Sequence, residues 1–440
     1  MDRTQWREFL ELWSAEWIAA HDPEHDRPAA PEVLRSGWLG FGAASEAQVA
    51  AAEARLGCRL PPSLRQFLLV TDGWRDTGGF VYRLAGTAEL DWLSDTPDRH
   101  WADGWEGTLD AEVFGRSLRL SLEGDLAVML LDPQDVDEHG EWAGYWHATW
   151  TADRAERSGS FAELMRSQWA SFHALRQPPG VTRDHWDAEV ERGRHLALAG
   201  ETEQAVALFA RARSFGRRRA EVLTAQLGLL SAGADWPRQL DNLLNGAHRL
   251  EGLLTDPLFA EELLPLLVPP GRAARPTDQW LLTLVRANAP EPVRTLITEY
   301  EARAAAPGLR LRFGTPEFDA AVHAVLDRLL AVPACRELMT PKPTVRADQP
   351  GMMYVYVWTG PGECPEPEPE PDPAELRAAV YAEVWPDLLD AMRLWRPVSP
   401  DHVAPVSLLA HPVLADLLTP ERGHRLLGTA RGPASGATGG

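Results

Sequence analysis

Apolar residues recur at helical spacing near the start of the chain. The segment 4–20 predicts an amphipathic helix that ends before Pro23. Two shorter helices are predicted next, one from Ser45 to the stop at Gly57 and one over Leu64 to Val70. The apolar face of the first helix comprises Trp6, Phe9, Leu10, Trp13 and Trp17.

Short apolar runs with partial alternation follow, separated by Gly, Asp and Pro. This spacing is typical of strands joined by turns, and Ser160 then caps a closing helix, Phe161 to Leu175. The order of helices, strands and helix indicates an α+β domain with an antiparallel sheet and flanking helices. The predicted strands are Phe80 to Leu84, Leu118 to Leu122, Ala127 to Leu131 and Gly144 to Thr149.

From Trp186 onward the pattern is mainly helical. Small and large apolar residues recur where a tetratricopeptide (TPR) unit places them, although a generic helical hairpin explains the same pattern. Further helices are predicted over Arg238 to Leu254, Asp278 to Ala287, Pro290 to Ala305, Pro316 to Ala331 and Ala374 to Trp395.

These patterns divide the chain into seven segments. The first, an N-terminal helix with a Pro-containing linker, is expected to pack on the second. The Pro/Glu run is expected to stay extended, since alternating Pro and Glu resists compaction. The segments are the helix and linker 1–36, the α+β domain 37–176, a helical region 181–345 with a TPR-like unit near 186–216, a short strand 346–360, a Pro/Glu spacer 361–373, a C-terminal helical segment 374–430, and a disordered tail 431–440.

Charge is concentrated in the first domain. The 440 residues include 64 acidic and 43 basic side chains, a net charge of -21, and residues 1–180 supply -14 of it (30 acidic, 16 basic). Such acidity argues against nucleic-acid binding and favours a basic protein partner. The densest group is either a solvated loop or a docking surface, with Trp142 as an anchor at its rim; its acids are Asp132, Asp135, Asp137, Glu138 and Glu141.

The first domain carries an ordered set of sequence motifs. They are, in order, the Ser45 helix with Glu53, Leu56 and Gly57, Leu60-Pro61 and the helix from Ser63, Asp72-Gly73-Trp74, Glu89 to Leu93, Gly124-Asp125 with Val128 to Pro133, Gly140-Glu141-Trp142, and Ser160 to Leu164. With these motifs the domain resembles the SUKH superfamily, which includes the fungal Smi/Knr cell-wall regulators and many bacterial immunity proteins. The resemblance implies an α+β fold and a protein-binding role without catalytic residues. An insert from Asp95 to Gly115 departs from the family pattern.

Motifs for catalysis or cofactor binding are not found in the sequence. No phosphate-binding glycine loop, G-x-S-x-G or H-E-x-x-H occurs, and the three cysteines are far apart. We therefore expect a non-enzymatic protein that binds no cofactor and no metal. Without a signal peptide or a long apolar run, the expected location is the cytoplasm.

Two functions follow as hypotheses. In the first, the protein is an immunity protein whose acidic surface neutralises a basic, nuclease-like toxin, as the resemblance to bacterial members implies. In the second, it is a regulatory adaptor in which the α+β domain and the helical region hold different clients. The long C-terminal region favours the second, because neutralising a toxin needs only the first domain. The sequence leaves the oligomeric state open.

Overall fold

The chain forms two compact units in the computed structural model. Unit 1 comprises Met1–Glu189 with Arg211–Arg217, and unit 2 comprises Val190–Ala210 with Arg218–Gly440. The structure describes residues 1–102, 109–150, 154–245, 252–270, 276–306, 309–340 and 372–431.

Six complete α-helices lie within the described part of unit 1. The predicted boundaries of the Ser45 helix are confirmed, because the Ser45 hydroxyl accepts the N–H of Gln48 and Gly57 ends the helix at φ +74°. The closing helix is likewise capped by Ser160, whose side chain accepts the N–H of Glu163. The helices are α1 (Arg3–Ala20), α2 (Pro31–Ser36), α3 (Glu46–Leu56), α4 (Pro62–Leu68), α5 (Leu109–Arg116) and α6 (Phe161–Arg176).

Eight strands form two antiparallel sheets among the residues of unit 1 that the structure describes. The smaller has the order β1-β2-β5 and the larger the order β3-β4-β6-β7-β8, so the predicted α+β class with an antiparallel sheet is confirmed. The strands are β1 (Trp74–Thr77), β2 (Val81–Leu84), β3 (Asp91–Trp92), β4 (Leu118–Arg119), β5 (Ser121–Gly124), β6 (Ala127–Val136), β7 (Trp142–Ala148) and β8 (Glu156–Ser158).

The prediction of a single strand over Leu118 to Leu122 is wrong. Leu120 donates its N–H to the carbonyl of Met129, while its own carbonyl accepts the N–H of Ala85. One bond joins Leu120 to β6 in the larger sheet, and the other joins it to the residue that follows β2 in the smaller sheet. The chain therefore passes from the larger sheet to the smaller one at Leu120, which divides the run into β4 and β5.

Both faces of the larger sheet are covered. Along β6, Met129 and Leu131 belong to the main hydrophobic core, whereas Val128 and Leu130 belong to a second, smaller cluster with Phe114 of α5. This alternation follows the two-residue period of a strand. Helix α1 adds fully buried aromatic side chains to the main core, and each stabilises the unit by about 2–3 kcal/mol; they are Trp6 and Trp13, packed with Phe67, Trp74 and Phe161.

The rest of the chain is helical where it is described. A π-helical turn, Phe259–Leu263, leads into α11. The first nine residues of α7 and the last four of α8 belong to unit 1. The helices are α7 (Val181–Ala199), α8 (Thr202–Ser214), α9 (Arg218–Ser231), α10 (Trp236–Leu244), α11 (Leu264–Leu267), α12 (Pro276–Asn288), α13 (Glu291–Ala305), α14 (Pro316–Ala331), α15 (Pro333–Arg336), α16 (Pro373–Ala391), α17 (Pro412–Leu417) and α18 (Pro420–Leu427).

The predicted helical hairpin is present in α7 and α8. A Cβ atom at Gly193 would lie 2.6 Å from the Phe209 ring, so the two helices approach closely where glycine leaves room. The TPR character of this hairpin stays a prediction. The helix predicted over Arg238 to Leu254 instead ends at Leu244 as α10.

Several predicted C-terminal features cannot be compared with the structure. The predicted strand 346–360 and most of the spacer 361–373 lie outside the described residues. The last two spacer residues are described, and they begin a helix: Asp372 caps α16 and Pro373 is its first residue. Of the predicted tail 431–440, only Arg431 is described.

Candidate protein-binding surface

The acidic residues singled out from the sequence lie on and around the β6–β7 hairpin. The two strands pair from Ala127 with Ala148 to Val136 with Trp142, and the register shifts between Asp132 and Val136. Beyond this shift the chain turns tightly through residues 137–140, with Gly140 at φ +78°. We call residues 136–140 the hairpin tip.

The side chain of Asp137 holds the hairpin tip together. Its Oδ1 accepts the N–H groups of His139 at 2.8 Å and Glu141 at 2.9 Å. The backbone N–H of Asp137 donates to the Glu141 carbonyl at 3.0 Å. A short acidic side chain that accepts from residues further along the turn is typical of such turns, so the tip presents its side chains from a fixed backbone.

Asp132 lies inside the unit and not on its surface. The side chain is fully buried, and Arg116 donates two hydrogen bonds to it, from Nε to Oδ1 at 2.8 Å and from Nη2 to Oδ2 at 2.7 Å. Asp132 in turn raises the pKa of the Arg116 guanidinium through this hydrogen bond. Paired in this way, Asp132 offers neither surface nor net charge to a partner, which corrects its predicted place in the docking surface.

Asp135 is half-buried and is also paired. Arg157 donates from Nε to Oδ2 at 2.7 Å and from Nη2 to Oδ1 at 2.8 Å, and the Tyr145 hydroxyl donates to Oδ2 at 3.1 Å. The hydrogen bond from Arg157 lowers the pKa of Asp135, while burial and then the contact with Asp135 raise the pKa of Tyr145. The charge of Asp135 is therefore compensated on the surface of β8.

Glu141 and Trp142 have structural partners. The Glu141 carboxylate accepts the N–H of Ser63 at 2.9 Å and its hydroxyl at 2.5 Å, close to the start of α4. Trp142 is 6% exposed, and its ring stacks on Trp92 at a centroid distance of 6.4 Å. Burial leaves Trp142 no open ring face, so it is a core residue and not a rim anchor.

The hairpin tip carries what remains accessible of the acidic group. Asp137 is exposed, and the side chains of Glu138 and His139 are 88% and 77% exposed. Val136 adds an exposed apolar side chain beside them. The structure thus brings the five acids into one region but leaves only Asp137 and Glu138 as open carboxylates. The sequence analysis did not pair Arg157 with Asp135, because Arg157 follows the last residue of the acidic group, Glu141, by 16 positions.

Other candidate chemistry has a structural explanation. Burial, together with the nearby Glu53 carboxylate, raises the pKa of the Cys58 thiol, which keeps it protonated and unreactive. Within the described ranges, no three His, Cys, Asp or Glu residues are grouped to hold a metal ion. In the same part of the chain, no helix is long and apolar enough to cross a bilayer.

A buried pair that the sequence did not indicate joins the first and last helices of the α+β fold. Glu16 of α1 accepts from Trp169 Nε1 at 3.2 Å and contacts His173 Nε2 at 2.8 Å, both on α6. The two members of the pair are 4% and 1% exposed. Their separation of 157 positions explains why no local motif reveals the pair.

Comparison with known protein families finds a match for one segment of the chain. Residues 43–167 match the model of the SMI1 / KNR4 family (SUKH-1), which confirms the resemblance proposed for 37–176. This stretch runs from just before α3 into α6 and includes both sheets. No curated protein matches the chain, and no solved structure matches it. At the level of the family, the match supports a protein-interaction role for this domain.

Proposed function

We propose, on the premise that residues 43–167 are a SUKH-1 domain, that the protein is a non-enzymatic binding protein that neutralises a basic, nuclease-like toxin. The observation that carries the proposal is the exposed, fixed hairpin tip of that domain, with Asp137 and Glu138 as open carboxylates. The net charge of -14 over residues 1–180 supports it, since a basic partner is attracted to such a surface over a distance of about 10 Å.

Affinity purification of the tagged full chain from its native host tests the proposal. A single basic protein, recovered in a stoichiometric amount and toxic when produced alone, is the expected result. Recovery of several unrelated housekeeping proteins without a toxin would show that the protein does not neutralise one. The same purification supplies the partner for the kinetic measurement.

The hairpin tip should control the rate of association. In the double variant Asp137→Asn, Glu138→Gln, we expect the association rate at low salt to fall about 3- to 10-fold, with a flatter salt dependence. Asparagine retains the oxygen that accepts the two backbone N–H groups, so the turn is preserved. Surface plasmon resonance over a series of salt concentrations measures both quantities.

A matched control removes the same charge elsewhere. Glu8 on α1 and Glu24 are exposed acids in the same unit and away from the hairpin tip in sequence. The double variant Glu8→Gln, Glu24→Gln should change the association rate by less than about twofold. Equal slowing by both double variants would mean that bulk charge, and not the hairpin tip, steers the partner.

An adaptor is the second candidate, and unit 2 is the observation that favours it. This unit has its own buried residues and accounts for more than half of the chain, well beyond what the SUKH-1 domain needs. An adaptor would copurify with two proteins, only one of which is recovered in a smaller amount with the hairpin-tip variant. Reduced recovery of every partner with that variant would count against the adaptor.

A further inference from the structure

A cleft lined by aromatic side chains lies in unit 1, on the sheet face opposite Tyr145. Strand β7 turns Tyr145 toward the small cluster of α5 and turns Trp146 toward the main core. The cleft has a volume of about 680 Å³ and is bordered by Trp146, by α1 and α6, and by residues of α7 and α8 that belong to unit 1. A volume of this size holds several residues of an extended peptide or a small ligand.

The rings in the cleft form a continuous series. Phe9 meets Trp169 edge to face at 5.2 Å, and Trp169 meets Phe215 edge to face at 5.3 Å. Phe215 stacks on Trp186 at 4.7 Å. Trp186 is nearly buried, but Phe9, Trp146, Trp169 and Phe215 are only half-buried, so each keeps apolar ring surface open to the cleft.

An unused hydrogen-bond donor accompanies these rings. The indole Nε1 of Trp146 is buried and has no acceptor among the described residues. A buried indole N–H normally finds an acceptor. A carbonyl oxygen on a ligand in the cleft would supply one once the Trp146 ring turns its N–H, which has no accessible surface in the free chain, toward the cleft.

The charge beside the cleft is opposite to that of the rest of the unit. Arg166 on α6 and Arg211 on α8 border it, and neither forms an ion pair within the described ranges. The Arg211 guanidinium lies 5.2 Å from the centroid of the Trp186 ring. Glu156 is the one acidic residue in the lining. In a unit whose residues 1–180 carry a net charge of -14, two guanidinium groups beside one cleft favour an acidic ligand.

We infer that the cleft binds an extended segment of a partner protein in which prolines alternate with acidic residues. Such a segment adopts the polyproline II conformation, whose proline rings pack on aromatic side chains and whose carbonyls point outward to donors such as Trp146 Nε1. Its carboxylates pair with Arg166 and Arg211. This site goes beyond the proposed function, since the cleft and the hairpin tip attract ligands of opposite charge.

A nucleotide fits the cleft less well. Stacking a base requires an open ring face, but Trp186 is 6% exposed, with Phe215 stacked on its ring and the Arg211 guanidinium 5.2 Å from the ring centroid. The open rings meet one another edge to face, and they are not arranged as parallel plates. A series of ring edges and partial faces suits proline rings better than a flat base.

Isothermal titration of the full chain with a synthetic (Pro-Glu)5 peptide tests the inference. We expect saturable binding that weakens about 10-fold in the variant Arg166→Gln, Arg211→Gln and tightens about 2- to 3-fold in Glu156→Gln. Arg59→Gln is the matched control, because Arg59 is an exposed arginine of the same unit outside the cleft lining; it should leave affinity within twofold. A (Pro-Lys)5 peptide should not bind.

Two more measurements keep the test decisive. Trp146→Phe retains a ring but removes the N–H, and it should weaken (Pro-Glu)5 binding about 3- to 10-fold. The titration is repeated on a chain with residues 365–371 replaced by Gly and Ser, because that run has the composition of the probe. Saturable binding by either chain, sensitive to the two arginines, supports the inference.

Three outcomes would overturn it: no saturable binding by either chain, equal weakening by Arg59→Gln, or binding of ATP that depends on the two arginines while the peptide does not bind. None of these depends on the hairpin tip. A failure here therefore leaves toxin neutralisation untouched, and a failure of that proposal leaves the cleft untouched.

Discussion

Asp132 and Arg116 make a charge pair whose members differ in exposure. Asp132 is fully buried, whereas the Arg116 side chain is 31% exposed. Arg116→Gln should destabilise unit 1 by about 2–4 kcal/mol, because it leaves a carboxylate buried without its ionic partner. Urea unfolding followed by tryptophan fluorescence measures this, since 13 of the 18 tryptophans lie in residues 1–189.

Removing both charges separates burial from packing. The double variant Arg116→Gln, Asp132→Asn should regain part of the lost stability, because no unpaired ion remains inside. Arg59→Gln, an exposed arginine of the same unit, should stay within about 0.5 kcal/mol of the parent. A double variant that is less stable than Arg116→Gln would show that the pair acts through hydrogen bonds and not through charge.

Asp76 has the opposite character, since its ionised form is unfavourable in the folded chain. Burial raises the pKa of its carboxyl to about 6, although Arg27, His21 and Arg75 nearby favour the charge and Asp26 opposes it. The residue also has a left-handed backbone conformation, at φ +50°. Because the folded pKa exceeds the unfolded value, the folded state binds the extra proton between pH 6 and about pH 4.

Asp76→Asn should therefore stabilise unit 1 at high pH. The cost of ionising Asp76 is fully present above pH 6 and disappears as pH falls toward 4, so the gain should approach about 3 kcal/mol at pH 8 and vanish near pH 4. Asparagine tolerates the left-handed conformation. Fluorescence-monitored urea unfolding at pH 8 and pH 4.5 measures the difference, and an equal gain at both values would contradict this account.

At the level of elements, the sequence predicts the ends of helices better than the pairing of strands. Ser45, Gly57 and Ser160 act through backbone groups within a few residues, and local pattern is enough to recognise them. Leu120 is different, because its hydrogen bonds to Ala85 and Met129 join residues that no local pattern relates. Alternation likewise places Trp142 on one face of β7 but does not reveal that Trp92 covers it.

The packing of α6 on the larger sheet depends on a glycine. A Cβ atom at Gly144 in β7 would lie 2.9 Å from Leu164 Cδ2 and 3.0 Å from its Cβ. Gly144→Ala should therefore push α6 away from β7 and destabilise unit 1 by about 1–3 kcal/mol. Gly115→Ala is the control: the site in α5 is open, and alanine there should be neutral or stabilise by up to about 1 kcal/mol. Urea unfolding of both variants decides.

At the scale of the whole molecule, composition predicted that the first domain is acidic. It did not predict which of the carboxylates are exposed and unpaired, and so open to a partner. The five acids of the docking prediction do share one region, yet Arg116 and Arg157 compensate two of them and Ser63 engages a third. The aromatic cleft was not predicted at all. Its residues come from six separated stretches, and each aromatic alone is explained by core packing.

A fall in pH should change the stability of the two units in opposite directions through one titrating side chain in each, His411 in unit 2 and Asp76 in unit 1. In unit 2, burial, with His323 nearby, lowers the pKa of His411 to about 4. A lowered folded pKa for histidine means that its stabilising effect is present above pH 6.5 and is lost as pH falls toward 4. Asp76 in unit 1 changes in the reverse sense.

His411→Asn should therefore reduce the acid sensitivity of unit 2. Asparagine does not titrate, and it suits the position because His411 precedes the first residue of α17. Hydrogen exchange of α17 at pH 5 and pH 7, corrected for intrinsic rates, should show a smaller loss of protection at pH 5 than in the parent. Identical losses in both chains would assign the acid effect to other groups.

The β7–β8 hairpin pairs Tyr145 with Arg157 and Trp146 with Glu156. Tyr145 and Trp146 lie on opposite faces of the sheet. A strand of this kind can change its side chains freely but not its length, because one inserted residue would exchange the two sides at once. Evolution of new partners on either side is therefore expected to proceed by substitution at constant strand length. Insertions and deletions should collect instead in the turns at the strand ends.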